Sequence, residues 1–512
     1  MAHVVKYYGP PGTGKTYTLM SAMKSLIEVD GISPAEMAFV TFTKNARTIA
    51  RSKAAEWFGL SQDDIPYFAT LHSLCFRLLG MNSKAVIRST VDLSEFSRMY
   101  QVPFSELTTD MVDEDGFFVA AGRELGDECL AFDHFRRHKL IENDALTRTF
   151  LSDWKLDVPY EQVVSFCRQY QRYKDYEGLI DFTDMLKLAD DSAKRIPVKI
   201  VFVDEAQDLS KLQWSVLHTI TRGCEQMHVA GDDDQAIFEW AGAEPASFTA
   251  LRADETHVLD QSHRLPPKIH RVSTNVAGSI VHRAKKVFRP KPGITGSVEH
   301  VSDVDEITPK HGESWLFLAR NHWVLSKATK RLRELGLPYY LGVHSSLSLR
   351  TQSAISAYES ARCGSVSKND LSVMSHVFRG VDAALEAVKS ATDEQVFSLE
   401  ELGIEPGFFE RRWQDQVKAT SGLDLQYITD VVANCGSMSV TPTIRVCTIH
   451  AAKGSQADNV AVFGDVASAV LQSSEANRDS ELRVWYVAFT RALERLILIG
   501  ESDVIPELWV AR

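Results

Sequence analysis

The sequence is poor in cysteine. Only seven of its 512 residues are cysteines, and no two of them are spaced as CxxC. A disulfide framework or a zinc ribbon needs paired or clustered cysteines. The pattern argues against both and fits a reducing compartment.

Long hydrophobic runs are also missing. No apolar stretch approaches the ~18 residues that cross a bilayer, and the N-terminal segment MAHVVKYYGPPGTGK lacks the apolar centre of a signal peptide. Hydrophobic residues make up 44% of the chain and charged residues 24%, which is ordinary for a globular protein. We therefore expect a cytoplasmic protein of several domains that does not act in the membrane.

The sequence has no excess of positive charge. Its 68 acidic side chains outnumber the 56 lysines and arginines, for a net charge of −12. This balance argues against a surface that coats nucleic acid broadly. A local basic groove stays open, because the distribution of charge matters more than its sum.

One motif points to a nucleotide. The apolar run VVKYY (4–8) leads into GPPGTGKT (9–16), a GxxxxGK[ST] pattern before a helix-compatible segment. Its glycines allow backbone N–H groups to surround phosphates, Lys15 can reach the β- and γ-phosphates, and the Thr16 hydroxyl can hold Mg²⁺. The predicted cofactors are ATP and Mg²⁺, and the predicted contacts are Gly9, Pro10, Pro11, Gly12, Thr13, Gly14, Lys15 and Thr16.

Two more apolar runs end in polar residues. In KIVFVDEAQD (199–208), the run delivers Asp204 to Mg²⁺ and Glu205, as general base, to the attacking water. MHVAGDDDQ (227–235) ends in three aspartates and Gln235. Strands that deliver polar residues to one edge indicate a parallel sheet with its ligands at the strand carboxyl ends. We expect the aspartates and Gln235 to lie beside the γ-phosphate.

Taken together in this order, the motifs resemble those of the UvrD/Rep-like (UvrD/PcrA type) superfamily 1A DNA helicases. Other segments are similar to family motifs along nearly the whole chain: FVTFTKNA (39–46), ATLHSLCFRLL (69–79), LIDFTDML (179–186), GDDDQAIFEWAGA (231–243), LDQSHRLP (259–266), TIHAAKG (448–454) and VWYVAFTRA (484–492). The resemblance implies an α/β fold with two RecA-like P-loop NTPase domains. Each would have a parallel sheet and a mostly helical insertion.

The implied domain boundaries follow the motifs. The first RecA-like domain (1A) would comprise 1–78 and 180–255, and its inserted helical domain (1B) 79–179. The second RecA-like domain (2A) would comprise 256–343 and 440–512, and its reduced insertion (2B) 344–439. Within the first insertion, RQYQRYKDY (168–176) mixes basic and aromatic residues. Such a segment can follow a DNA backbone or form a solvated helix face.

The resemblance assigns further roles around the nucleotide. Gln235 would sense the γ-phosphate, and Arg264 and Arg491 match the family's two arginine fingers, which neutralise charge on the transferring phosphoryl group. His263 stands where the family has a tyrosine that stacks on adenine. Gly454 would also lie near the nucleotide.

Other residues would face DNA. Stacking of an aromatic ring on a base is worth ~1–3 kcal/mol and tolerates any sequence. The candidates are Phe42, Thr43, His72, Phe238, Trp240, Thr448 and His450. From the residues alone, a phenylalanine or tryptophan beside a sheet can equally belong to the core.

The sequence thus predicts an ATP-dependent single-stranded DNA translocase and helicase. It would move 3′ to 5′, act at junctions of single- and double-stranded DNA, and hydrolyse ATP at the interface of two RecA-like domains. The alternative is an ATPase subunit of a nuclease or defence complex, with DNA-stimulated hydrolysis but no unwinding of its own. Four departures from the family leave nucleotide choice, coupling and regulation open. The upstream glutamine motif is missing before Gly9, Ala241 replaces a basic residue, Gln456 replaces a glutamate, and the second insertion is shorter than is usual in the family.

Overall fold

The computed structural model forms two compact units. It describes residues 2–41, 44–61, 63–88, 90–105, 124–141, 147–148, 158–405, 407–418, 424–436, 440–507 and 509. The first unit comprises Met1–Pro267, Thr274–Gly293 and Asn477–Val487. The second unit comprises Lys268–Ser273, Ile294–Ala476 and Ala488–Arg512.

The first unit is built on a six-stranded parallel sheet. Its strands are β1 (His3–Tyr8), β2 (Met37–Thr41), β3 (Phe68–Thr70), β4 (Ile200–Val203), β5 (Gln226–Gly231) and β6 (Glu255–Val258). Their order across the sheet is β3-β2-β4-β5-β1-β6, and every neighbouring pair is parallel. β2 and β4 are buried throughout, as expected of strands covered on both faces. The carboxyl ends of β1, β4 and β5 therefore meet at one edge.

Helices surround this sheet and build the first insertion. They are α1 (Lys15–Glu28), α2 (Lys44–Phe58), α3 (Leu71–Leu79), α4 (Ser94–Tyr100), α5 (Leu125–His138), α6 (Tyr160–Glu177), α7 (Phe182–Asp191), α8 (Lys211–Ile220) and α9 (Pro245–Ala250). Side-chain caps set several starts: Thr70 caps α3, Asp181 caps α7, and Ser210 caps α8. Each cap accepts a hydrogen bond from an N–H group that the helix leaves unpaired.

A buried ion network joins the insertion to the sheet core. Arg137 of α5 lies 3.0 Å from Asp133, 2.5 Å from Asp181 and 2.7 Å from Asp184, and Lys174 of α6 lies 2.8 Å from Asp181. Since α7 carries Asp184 and begins next to Asp181, these pairs attach α5 and α6 to a helix of the sheet core. Loss of one partner in such a network leaves an uncompensated buried charge.

The second unit has its own mostly parallel sheet. Its strands are β7 (Ser297–Val301), β8 (Trp315–Ala319), β9 (Tyr339–Leu341), β10 (His344–Ser345), β13 (Ile444–Thr448), β14 (Ala457–Phe463) and β15 (Ala492–Ile499). They are ordered β10-β9-β13-β8-β14-β15-β7, and among these pairs β10 and β9 are antiparallel. A separate hairpin pairs β11 (Ser365–Ser367) with β12 (Val396–Ser398).

The remaining helices belong to the second unit or contain residues of both units. They are α10 (Pro267–Gly278), α11 (Leu325–Glu334), α12 (Leu349–Ser360), α13 (Lys368–Ser375), α14 (Asp382–Ala387), α15 (Leu425–Cys435), α16 (Ser468–Ala476) and α17 (Arg478–Phe489). The core of the second unit contains aromatic and aliphatic side chains that include Tyr358, Phe378 and Phe409.

The fold class predicted from the sequence is confirmed, with two parallel α/β sheets and helical segments between their strands. One boundary differs. β6 pairs with β1 in the first sheet, so that sheet continues past residue 255, where the predicted second domain begins. The four-domain scheme itself remains a prediction.

Candidate nucleotide and DNA site

The loop between β1 and α1 is shaped to surround a phosphate. Gly12 and Gly14 have φ angles of 73° and 86°, a left-handed conformation that glycine adopts without a steric penalty. The N-terminus of α1 follows at once, so its unpaired N–H groups face the loop. Lys15 Nζ donates to the Gly9 carbonyl at 3.1 Å, and the Thr13 hydroxyl donates to the Pro10 carbonyl at 2.7 Å.

The carboxylates after β4 meet this loop. The Thr16 hydroxyl donates to Asp204 Oδ2 at 2.6 Å, and Lys15 Nζ lies 3.5 Å from Glu205 Oε1. Burial and the charge of Glu205 raise the pKa of Asp204 to about 6, while Thr16 and Lys15 act in the opposite direction. The hydroxyl and carboxylate oxygens of Thr16 and Asp204 are the kind of ligand that Mg²⁺ prefers. These two residues therefore fit the predicted metal role.

Glu205 is held in an unusual backbone conformation. Its φ of 53° and ψ of 42° are left-handed, which is uncommon for a residue other than glycine and is found at functional sites. Gln207 Nε2 donates to Glu205 Oε2 at 2.6 Å, and Gln207 Oε1 accepts from the Asp232 N–H group at 2.8 Å. Gln207 thereby connects the acid after β4 to the segment after β5.

The segment after β6 lies against the phosphate loop. The Ser262 hydroxyl donates to the Pro11 carbonyl at 2.8 Å, and the His263 N–H group donates to the Gly12 carbonyl at 2.9 Å. A Cβ atom on Gly12 would lie 2.2 Å from Arg264 Cβ, so only glycine fits there. His263 is exposed, and burial lowers the pKa of Arg264 while Glu205 raises it. Both predicted residues thus lie beside the nucleotide loop.

Comparison with known proteins agrees with this geometry. Residues 4–256 match the UvrD/REP helicase N-terminal domain, and residues 443–499 match the UvrD-like helicase C-terminal domain. The chain belongs to the UvrD/REP helicase family.

The curated relatives that the chain resembles are named as DNA helicases. The chain is 22% identical over 293 residues to the ATP-dependent DNA helicase PcrA of Staphylococcus aureus (strain Mu50), a match covering 54% of this chain and 38% of the relative. It is 22% identical over 298 residues to the protein of the same name in Staphylococcus epidermidis (strain RP62A), covering 55% and 38%. The aligned part thus spans well under half the length of these relatives.

The three aspartates 232–234 have cationic partners within the first unit. They are buried and form ion pairs with Lys286 and Arg283. Their place beside the γ-phosphate stays a prediction. Gln235 is different: its Nε2 donates to Asp232 Oδ2 at 2.7 Å, within the segment that Gln207 connects to Glu205.

Trp240 and Phe238 differ in their exposure. Trp240 is 41% exposed, which leaves ring surface for stacking. Phe238 is 5% exposed, so it packs in the core of the first unit and offers no face to a base in this conformation. The DNA role predicted for Phe238 is therefore not supported.

The structure gives no further support for the remaining DNA-binding candidates of the first unit. Phe42 and Thr43 lie outside the described residues. His72 packs edge-on against Phe182, with ring centroids 5.8 Å apart. Burial lowers the His72 pKa to about 4, so its imidazole is neutral near pH 7 and brings no charge to a phosphate.

The other predicted residues belong to the second unit, where they lie at or next to the ends of its strands or in the loops that follow. Thr448 ends β13, and His450 follows two residues later, half-buried. Gly454 is exposed with a φ of 82°. Arg491 precedes β15, is 1% exposed, and donates to Thr490 Oγ1 at 3.0 Å.

Sequence reasoning missed Gln207, Arg283, Lys286 and Arg483. Arg483 Nη1 donates to Glu239 at 2.7 Å and its Nε donates to the Asp233 carbonyl at 3.0 Å. In the sequence, HRAKK (282–286) reads as a solvated basic run. A usable signal was the triple aspartate itself, because three consecutive acids after a buried strand need cations from elsewhere in the chain.

Two kinds of feature are absent from the described residues. No helix there is long and apolar enough to span a bilayer. No group of three or more histidine, cysteine, aspartate or glutamate side chains there is arranged to hold a metal ion.

Proposed function

We propose that this chain is an ATP-dependent translocase on single-stranded DNA and a DNA helicase. It moves 3′ to 5′, works at junctions of single- and double-stranded DNA in the cytoplasm, and hydrolyses ATP where two RecA-like domains meet. The observation that carries the proposal is the joining of Thr16 to Asp204 at 2.6 Å and of Lys15 to Glu205 at 3.5 Å. The names of the relatives support it.

Each group in the site has a distinct task. The loop of Gly9 to Thr16 binds the phosphates, and Mg²⁺ held by Thr16 and Asp204 would neutralise their charge. Glu205 accepts the proton of the attacking water, which requires its carboxylate form. Arg264 supplies positive charge beside the loop, and Arg491 of the second unit is the second proposed arginine finger. His263 stacks on the base, with Gly454 near the nucleotide.

The DNA side uses the exposed ring of Trp240 and, in the second unit, Thr448 and His450. Because Trp240 lies five residues after Gln235, nucleotide state and DNA contact share one short segment. If hydrolysis reorders this segment, the stacking of Trp240 on a base would change. This linkage is the proposed basis of translocation.

The test measures ATP turnover with and without an unstructured DNA oligonucleotide, and unwinding of duplexes with a 3′ or a 5′ tail. We expect DNA to stimulate turnover and unwinding to need the 3′ tail. Lys15→Met is the inactive control. Stimulated turnover without unwinding of either duplex would favour a subunit of a larger complex, and turnover insensitive to DNA would overturn the proposal.

A further inference from the structure

The aspartates 232–234, here called the aspartate segment, have a buried counter-charge that the nucleotide chemistry does not use. The Lys286 side chain is only 2% exposed. Its Nζ lies 2.8 Å from Asp232 Oδ1 and 3.0 Å from Asp234 Oδ2, and it also pairs with Asp233. One lysine therefore contacts all three buried carboxylates.

Other partners of the aspartate segment contact Asp233 and Asp234, and Lys286 pairs with Asp232. Arg283 Nε donates to Asp234 at 2.8 Å, and the Ala284 N–H group donates to Asp233 Oδ2 at 2.7 Å. Among the ion pairs of the described residues, Lys286 supplies the cation on Asp232. Removing Lys286 or Arg283 thus takes the same charge from the cluster. Both cations pair with Asp234, but of the two only Lys286 pairs with Asp232.

Asp232 connects Lys286 to the predicted γ-phosphate sensor. One carboxylate oxygen faces Lys286, and the other accepts from Gln235 Nε2 at 2.7 Å. Since the amide nitrogen points at Asp232, the carbonyl oxygen of Gln235 points the other way. A carbonyl oxygen can accept a hydrogen bond from the attacking water and orient it, as glutamines do in related hydrolases.

The same aspartate touches the general base through one residue. The Asp232 N–H group donates to Gln207 Oε1 at 2.8 Å, and Gln207 Nε2 donates to Glu205 Oε2 at 2.6 Å. Asp232 therefore has a link to each of the two groups that would handle the water. A shift of its side chain would disturb Gln235, whereas the link to Glu205 through Gln207 is made by the Asp232 backbone.

We propose that Lys286 is a positioning residue for ATP hydrolysis, which holds Asp232 so that the carbonyl oxygen of Gln235 faces the nucleotide. This inference rests on the proposed function. Without Lys286, three carboxylates share the remaining cation, and a buried carboxylate without a partner takes up a proton or turns away. A protonated Asp232 would donate rather than accept, and the Gln235 amide would be free to flip.

The test is a double-mutant cycle between Lys286→Met and Gln235→Ala, with kcat and KM for ATP measured under saturating single-stranded DNA. Each single variant should lose at least ~10-fold in kcat, because small misplacements of a reacting group cost this much or more. KM should stay within about threefold, since Lys15 and Thr16 still bind the phosphates. The double variant should lose no more than the worse single variant, within about threefold.

Arg283→Met is the matched control. It removes one cation from the same cluster without touching Asp232, so its kcat should stay within about threefold of the parent. If Lys286→Met does not fold, Lys286→Met/Asp233→Asn replaces it in the cycle, because the introduced amide has one charge fewer and keeps an oxygen for the Ala284 N–H group. Thermal melting identifies which variant to use.

The outcomes separate the two proposals. In an active parent, losses that multiply in the double variant, or an equal loss in Arg283→Met, overturn the positioning role alone. A parent without DNA-stimulated turnover overturns the proposed function and this inference with it. The positioning role of Lys286 is supported if Lys286→Met and Gln235→Ala lower kcat but not additively, and if Arg283→Met leaves kcat unchanged.

Discussion

At the scale of single residues, Glu205 combines a left-handed backbone with a position beside Lys15. Replacing it with glutamine keeps its shape but removes the proton acceptor. Glu205→Gln should therefore bind nucleotide normally and lower ATP turnover by at least ~10²-fold, as expected for loss of a general base. Nucleotide affinity and steady-state turnover measure the two effects separately.

The half-buried Glu36 provides the comparison. It pairs with Lys199 at 2.8 Å on the surface of the same unit, so Glu36→Gln should leave turnover unchanged. If Glu205→Gln retains turnover within threefold of the parent, Glu205 is not the base.

Trp240 tests the DNA side of the site. If its exposed ring stacks on a base, Trp240→Ala should weaken single-strand binding by ~1–3 kcal/mol. ATP turnover without DNA should survive, because Gln235 and its bond to Asp232 are untouched. Fluorescence anisotropy of a labelled oligonucleotide measures the loss, and Trp240→Phe, which keeps a ring, should recover most of it. Unchanged binding in a folded Trp240→Ala protein would show that this ring does not hold DNA.

Residue type alone could not predict which of the two rings, Phe238 or Trp240, is exposed. The motif made both rings candidates for DNA, yet one is buried and the other exposed. Which ring faces outward depends on the short helical turn at 239–241 and on the bond of Arg483 to Glu239. Arg483 lies over 240 residues away in the chain, so no local pattern could have given this result.

At the scale of elements, a hydroxyl helps to hold the segment after β6 against the phosphate loop. Ser262 Oγ donates to the Pro11 carbonyl and accepts from the Leu265 N–H group at 3.1 Å. Ser262→Ala leaves these buried groups unpaired, at a cost of about 1–3 kcal/mol. We expect lower thermal stability and a higher KM for ATP, because the loop loses its support.

A second buried hydroxyl separates these effects. Thr221 donates to the Leu217 carbonyl at 2.6 Å, at the end of α8. Thr221→Val should destabilise the protein to a similar degree without raising KM. A KM that rises equally in both variants, or in neither, would argue against a specific role for Ser262.

The sheets were easier to predict than this attachment. VVKYY, IVFV and MHVAG are apolar runs that end in phosphate or metal ligands, and each is a strand of the first sheet. β6, with the sequence ETHV, is exposed along its length. It has no apolar run, so its pairing with β1 was not visible, and the first domain was predicted to end too early.

At the scale of the whole molecule, three histidines make the stability of the folded state sensitive to acid. Burial lowers the pKa of His72, His134 and His228 to about 4 each. His134 also faces charges of both signs from Asp181 and Arg137. In the unfolded chain these imidazoles titrate near ~6.5. Between these values the unfolded state binds more protons, so their contribution is complete above about pH 6.5 and is lost as the pH falls toward 4.

The midpoint of urea unfolding should therefore be lower at about pH 5 than at about pH 7.5. Asp204, whose pKa is raised to about 6, acts in the opposite direction. His228→Phe isolates the histidine effect, because a phenyl ring can keep the stacking on Phe202, 4.9 Å away between ring centroids, but cannot titrate. Its unfolding midpoint should fall less between the two pH values. An equal fall in both proteins would refute the role of His228.

The chain passes between the two compact units five times, at residues 267, 273, 293, 476 and 487. Residues 477–487 belong to the first unit and bring Arg483 to Glu239, although they follow most of the second unit in sequence. No single cut of the gene therefore yields a complete first unit. A fragment ending at residue 293 would lack one of its own helices, and only a peptide spanning α17, supplied in trans, could restore it. To express the two units separately, residues 477–487 would have to be added back to the first unit as a second fragment.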